Sequence, residues 1–333
     1  MRLMRLRGEE QGPLFTFLSK LGHVVKKLSL NMMIDSWRRD SWSPAEAEDF
    51  NARILGHCKT VRCLTIFHER DNKSELQLLF DNIRNLSPLE EIHIIDASEM
   101  GFWRSILARD TPDHLARRLL DVVLDTHASH LRTITLFGES PLTIATFEKI
   151  QHATPRLHRL EIAHGLTARY RESFATPTAW ACAANLQHVR LIRCSGVHAA
   201  DFTRQLAAGA IGHLRTLYMS FCGGGADDRA LPVATKWTIP ALEVLELDHF
   251  AAWDMRHFAI IHVRKVFLSK VFQVGWMQDT QALITAMTAT TTFPGAIELH
   301  VTPDWRDQDF NDLRIACFTR DMKVVERDCN SAR

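Results

Sequence analysis

Leu186-Gln187-His188-Val189-Arg190-Leu191-Ile192-Arg193-Cys194 carries apolar residues at its first, fourth and sixth places and a cysteine at its ninth. The phrase returns as Leu214-Arg215-Thr216-Leu217-Tyr218-Met219-Ser220-Phe221-Cys222. In this pattern the fourth and sixth residues alternate along an extended segment, so both point to one side and the residues between them to the other. A chain built from copies of such a phrase buries one face of each strand and leaves the other face open.

Outward from that stretch, eight further copies can be read. They begin at Val25, Val61, Leu89, Leu131, Leu157, Leu242, Val263 and Ala296, the last two degenerate. Steps from Leu131 to Leu242 stay between 26 and 29 residues, while the others range from 21 to 42. Nearly every interval holds an apolar pattern of helical period, at Ala45 to Cys58, Lys73 to Leu86 with Ser74 as its N-cap, Pro112 to His127, Pro141 to Ala153, around Trp180, Ala199 to Leu206, Gln278 to Thr288 and Asp304 to Phe318. Strand phrases and helix patterns alternating at this period are the signature of a leucine-rich-repeat array. The expected fold is an α/β leucine-rich-repeat solenoid, a horseshoe of about ten irregular repeats. Its parallel sheet lines the concave face and its helices the convex face, since a helix is wider than the spacing between strands.

Domain limits follow. Residues 1–20 form an N-terminal segment with a capping helix over the open end, 21–325 the repeat domain with a last strand at Met322 to Val325, and 326–333 a frayed tail. Hydrophobic residues make up 46% of the 333 and charged residues 24%, which excludes a disordered chain. Net charge is +1, so no global field draws in nucleic acid or an anionic membrane. The basic start Met1 to Arg7 is followed by no apolar run of signal-peptide or membrane-spanning length. Seven cysteines, odd in number and scattered without a framework spacing, suit reduced thiols in the cytoplasm or nucleus.

The array, with Cys194 and Cys222 in the repeat phrase and the opening Leu21 to Leu30, resembles the leucine-rich-repeat portion of fungal F-box-type proteins. The resemblance covers roughly residues 14 to 325. It implies a recognition surface for a protein client, and in that family an F-box ahead of the repeats docks on the adaptor of a cullin ubiquitin ligase. Here the first repeat is reached by Val25, which leaves no length for an F-box. The expected partner is therefore a protein or peptide client, with a ligase adaptor only if an F-box is supplied elsewhere.

The outward strand positions are where such a client would touch. Arg159, Glu161, His188, Arg190, Tyr218 and Glu246 lie on neighbouring phrases near the centre and combine aromatic and Arg character, the residue types enriched in interface hot spots. Charges of both signs are mixed along these positions, which favours a patterned protein or peptide partner over a phosphate backbone. Cys194 and Cys222 fall just past the strand, where the side chain turns inward, and are expected to be structural thiols. No catalytic, metal or cofactor site is expected, a cysteine-dependent or hydrolytic enzyme being the remote alternative. Cys58, Cys63 and His68 have zinc-ligand chemistry but no paired C-x-x-C spacing. Asp307 to Asp312 begins like a calcium loop, yet has Asp where Gly is needed and Phe318 where Glu is needed. Gly223-Gly224-Gly225 lacks the Lys-Ser/Thr of a phosphate loop.

Overall fold

The computed structural model describes residues 8–32, 44–68, 76–96, 115–138, 142–163, 178–194, 197, 199–220, 241–248, 257–269, 284, 285, 287, 292–301 and 307–326. The chain divides into two compact units, Met1–Gly165 and Leu166–Arg333. The first unit runs α1 (Gly8–Leu21), β1 (Lys27–Asn31), α2 (Pro44–His57), β2 (Cys63–His68), α3 (Gln77–Arg84), β3 (Glu91–Asp96), α4 (Leu115–His127), β4 (Thr133–Phe137), α5 (Ile144–Ala153) and β5 (Arg159–Ala163). The second runs β6 (His188–Ile192), α6 (Ala199–Ala207), β7 (Thr216–Ser220), β8 (Leu242–Asp248), β9 (Val263–Ser269), β10 (Glu298–Val301), α7 (Asp307–Phe318) and β11 (Lys323–Glu326). This is an α/β fold with eleven parallel strands and seven α-helices among the described residues.

Within each unit every strand pairs with the next in chain order, in parallel. The register is set by the repeat phrase: Leu64 faces Ile92 and Ile92 faces Ile134, so equivalent places of successive phrases lie side by side. In the first unit the ladder begins one residue before each of β2 to β5. Arg62 N–H donates to the Lys26 carbonyl at 2.8 Å, Glu90 to Arg62 at 2.8 Å and Arg132 to Glu90 at 2.7 Å. Side chains at these lead-in places form their own chain, with Arg62 Nη1 3.0 Å from Glu90 Oε1 and Arg132 Nε 3.8 Å from Glu90 Oε2.

Alternation along the strands separates a buried face from an open one. Leu28, Leu30, Leu64, Ile66, Ile92, Ile94, Ile134, Leu136, Leu160 and Ile162 are buried in the first unit. Helices α1 to α5 pack one against the next, each adding a buried stripe such as Leu79, Phe80 and Ile83 of α3 or Leu119, Leu120 and Val123 of α4. In the second unit α6 is buried almost all round, with Arg204 alone only half-buried. Its Thr203 hydroxyl donates back to the Ala199 carbonyl at 2.7 Å, and Asp201 Oδ1 accepts from Arg204 Nη1 at 3.1 Å, while Asp201 Oδ2 is buried without a hydrogen-bond partner.

Helix limits differ from the periodic pattern where a cap decides them. Helix α5 begins at Ile144 because the Thr143 hydroxyl accepts from Thr146 N–H at 3.0 Å, an N-cap. Helix α3 starts after Leu76, which adopts φ 34, in the left-handed region. The segment at Trp180 is a set of turns over 181–185 instead of a helix. Trp180 is buried there with its indole N–H donated to Gln205 Oε1 at 3.2 Å, so the ring that suggested a helical face packs from a turn. The expected Ser74 cap, Pro112, Cys222 and the Gly223 to Gly225 loop lie outside the described residues, as does most of Gln278 to Thr288. The last strand is present as β11, and residues 307–318 are helix, not a calcium loop. Among the described residues no helix is long and apolar enough to cross a membrane.

Two contacts of the helical layer lead to predictions. Gly22 lies in a 3-10 turn after α1, and a Cβ there would sit 2.2 Å from the His57 carbonyl oxygen. That neighbour is backbone, so the turn and the end of α2 must separate. Gly22→Ala is expected to destabilise by about 1–3 kcal/mol, read from urea unfolding. His127, buried on α4, donates its Nε2 proton to the Ile83 carbonyl of α3 at 3.0 Å, and burial pushes its imidazole below the ordinary 6.5. A lowered folded pKa means the unfolded chain takes up the proton first. Its contribution is therefore full above pH 6.5 and is lost as the pH falls through the folded value. Urea unfolding at pH 7.5 and 5.5 should show wild type losing more stability on acidification than His127→Gln.

Candidate recognition face

The open face of the second unit carries side chains in register rows. One row is Arg190, Tyr218, Glu246, Phe267, His300 and Val325, on β6 to β11 in turn. The neighbouring row is His188, Thr216, Val244, Lys265, Glu298 and Lys323. Parallel pairing in chain order makes these rows, because each strand contributes the same two outward places of its phrase.

Within the first row the Arg190 guanidinium lies 4.7 Å from the centre of the Tyr218 ring, a cation–π pair. Burial, and then the charge of Asp248, push the Tyr218 phenol above its usual value, so its hydroxyl stays protonated. Further along, Phe267 and the His300 ring stack at 4.2 Å with 17° between planes. His300 Nε2 and Lys265 Nζ each lie 3.0 Å from Glu298 Oε2, and the two together hold that carboxyl below its usual range, His300 more strongly. In the neighbouring row His188 Nδ1 lies 2.7 Å from the Thr216 hydroxyl. At the far end of the strands Asp248 accepts from both Ser220 (3.0 Å) and Ser269 (2.9 Å). Rings here are held by their neighbours.

Of the six residues expected to form a contact cluster, Arg190, Tyr218 and Glu246 share one row on β6, β7 and β8, with His188 in the adjacent row. Arg159 and Glu161 belong to β5 of the first unit. There Arg159 Nε donates to Glu161 Oε1 at 2.9 Å, and the other carboxylate oxygen accepts from Thr135 at 3.5 Å. Phe267, His300, Lys265 and Glu298 were legible as outward places, but their stacking and ion pairs depend on register. Sequence spacing does not report it, since β9 and β10 are separated by an irregular interval.

Cys194 is buried, and its thiol donates to the Ile192 carbonyl at 3.4 Å. Burial pushes the thiols of Cys58 and Cys317 up to about 11 and that of Cys182 to about 12, the reverse of what a nucleophile needs. The Cys58, Cys63 and His68 set does not form a ligand group. Cys63 instead meets Glu91 and His93 on the open face of the first unit. No protein-family model matches the chain, and a search of the curated proteins finds no match to it.

Proposed function

We propose that the chain is a leucine-rich-repeat solenoid whose open sheet face binds a protein or peptide client without chemistry. The observation that carries this reading is the row on β6 to β10, where Arg190 lies over Tyr218 and Phe267 stacks on His300, with Glu246 between the pairs. Aromatic and Arg side chains presented from a rigid sheet are the groups that concentrate affinity in protein interfaces, and held rings lose little freedom on binding. Charges in the adjoining row run Lys265, Glu298, Lys323, alternating in sign. A nucleic-acid backbone would want one sign throughout, so the pattern favours a partner with charges of both signs. The raised thiols support binding over cysteine catalysis. On the F-box-type resemblance the client would be a ubiquitination substrate held in the cytoplasm or nucleus, with a ligase adaptor recovered beside it only where an F-box is supplied.

The test is crosslinked affinity capture from cells, quantified by mass spectrometry, with wild type and Arg190→Glu compared at equal expression. Clients of this face are expected to be depleted in the variant while far-UV circular dichroism is unchanged. An identical set of captured proteins in both would remove the reading.

A further inference from the structure

The open face of the first unit gathers three metal-ligating side chains that the recognition row does not use. Cys63 of β2 and Glu91 of β3 are direct register partners, and His93 follows Glu91 by two residues on the same face. Their donor atoms, the Cys63 thiol, a Glu91 carboxylate oxygen and a His93 ring nitrogen, all lie within 4.8 Å of one another. We propose that Cys63, Glu91 and His93 form a three-ligand site for Zn²⁺ or a similar borderline divalent cation, with its fourth position open to solvent.

The donor set selects the class of ion. One sulfur, one imidazole nitrogen and one carboxylate oxygen suit zinc and its neighbours, whereas calcium and magnesium demand oxygen throughout. Tetrahedral coordination at zinc–ligand distances of about 2.0–2.3 Å places donors about 3.4–3.6 Å apart. His93 Nε2 and Glu91 Oε2 already lie at about that spacing, 3.6 Å apart, and with every donor pair inside 4.8 Å none needs to close by more than about 1.4 Å, within reach of side-chain rotation on a fixed backbone. The backbone is fixed: Cys63 N–H donates to Lys26 and Glu91 N–H to Arg62, at 3.0 and 2.9 Å. Ligands on paired strands hold their geometry better than ligands on loops.

The internal arrangement also argues for a cation over a nucleophile. In a Cys-His-carboxylate catalytic set the imidazole stands between thiol and carboxylate. Here the carboxylate is the middle member. The Cys63 thiol lies within 4.8 Å of the Glu91 carboxylate, its register partner across the strands, and His93 Nε2 lies 3.6 Å from Glu91 Oε2. A thiol, a carboxylate oxygen and a ring nitrogen gathered within 4.8 Å make an arrangement that a divalent cation can take over, neutral His93 offering the ring nitrogen that carries no proton. On binding, the Cys63 S–H bond breaks, a sulfur–zinc bond forms and one proton leaves to solvent. Thiolate and carboxylate then neutralise the two metal charges. Lys27, the register partner of Cys63 on β1, favours the thiolate form.

The experiment uses the full chain, stripped with chelator in a thiol-free reductant and titrated with Co²⁺ and then Zn²⁺. Wild type is expected to develop a near-ultraviolet thiolate-to-cobalt charge-transfer band with visible bands of tetrahedral intensity, erased by one equivalent of Zn²⁺. Cys63→Ser should lose the charge-transfer band, and Cys58→Ser, at a buried thiol, should keep it. Glu91→Gln and His93→Ala should each weaken Zn²⁺ binding by more than about tenfold, since even the outer partners of a ligand carry that much. Calorimetry in buffers of different ionisation enthalpy should report one proton released per zinc in wild type. These three residues are half-buried on the open face, and circular dichroism checks that each variant is folded. A charge-transfer band that survives Cys63→Ser, its absence from wild type, or zinc affinity unchanged in folded Glu91→Gln and His93→Ala would each overturn the proposal.

Discussion

Phe202→Ala is expected to lower the stability of the second unit by about 3–5 kcal/mol. Phe202 is 1% exposed on α6, and the residues on every side of that helix are buried with it: Ala199, Ala200, Asp201, Thr203, Gln205, Leu206 and Ala207. A helix with an exposed side can roll toward a cavity and refill part of it, whereas an enclosed helix has no free direction. The lost ring therefore leaves most of its volume empty, and the penalty should fall in the upper part of the range for aromatic truncations. Phe318→Ala, at a ring 83% exposed on the end of α7, is the matched control and should change stability by less than about 0.5 kcal/mol. Urea unfolding followed by circular dichroism measures both. A loss below about 1 kcal/mol for Phe202→Ala would show that α6 is not enclosed as described.

Tyr218→Ala is expected to weaken client binding by about 2 kcal/mol or more, roughly thirtyfold, while leaving the fold in place. Tyr218 lies on the open face of β7, and its strand is held by inward Leu217 and Met219, both buried. Removing the phenol also removes the ring on which the Arg190 guanidinium rests. The two losses should not add. In a double-mutant cycle with Arg190→Ala, the coupling is expected at about 0.5–2 kcal/mol, the range of a cation–π contact. Additivity would mean that Arg190 and Tyr218 act separately. Titration calorimetry with a client from the capture experiment supplies all four affinities.

The strands were legible because their residues satisfy two independent conditions. Leu131, Ile134 and Leu136 have the strand spacing, and the segments on either side have the helical one. All ten expected phrases carry strands, and the short Lys323–Glu326 segment adds the eleventh. What failed locally was the reading at Trp180, where a large buried ring suggested a helical face and the chain instead makes a turn that sends the indole to Gln205. Caps were visible only in part: Thr143 can be picked out as a capping type, but the left-handed backbone at Leu76 has no composition signal.

The contact rows were half legible. Outward places follow from the phrase itself, so Arg190, Tyr218 and Glu246 could be proposed together. Which outward residue meets which depends on register between phrases 21 to 42 residues apart. Cys63 and Glu91 are 28 residues apart in sequence and side by side on paired strands, and no linear ligand spacing expresses that. The linear search set Cys63 beside Cys58 and His68, two residues whose side chains are buried instead of turned to the open face.

Parallel pairing in chain order also sets a pitch. Side chains of the row from Arg190 to His300 recur once per strand, about every 4.8 Å. An extended peptide laid across the strands repeats its same-face side chains about every 6.7 Å, and falls out of step by about 2 Å at each strand. One turn of an α-helix advances 5.4 Å, a mismatch of about 0.6 Å per strand and about 2.4 Å over the four steps. On the proposed function, a client that meets every strand of this row is therefore a helix lying across the sheet and offering one side chain per turn.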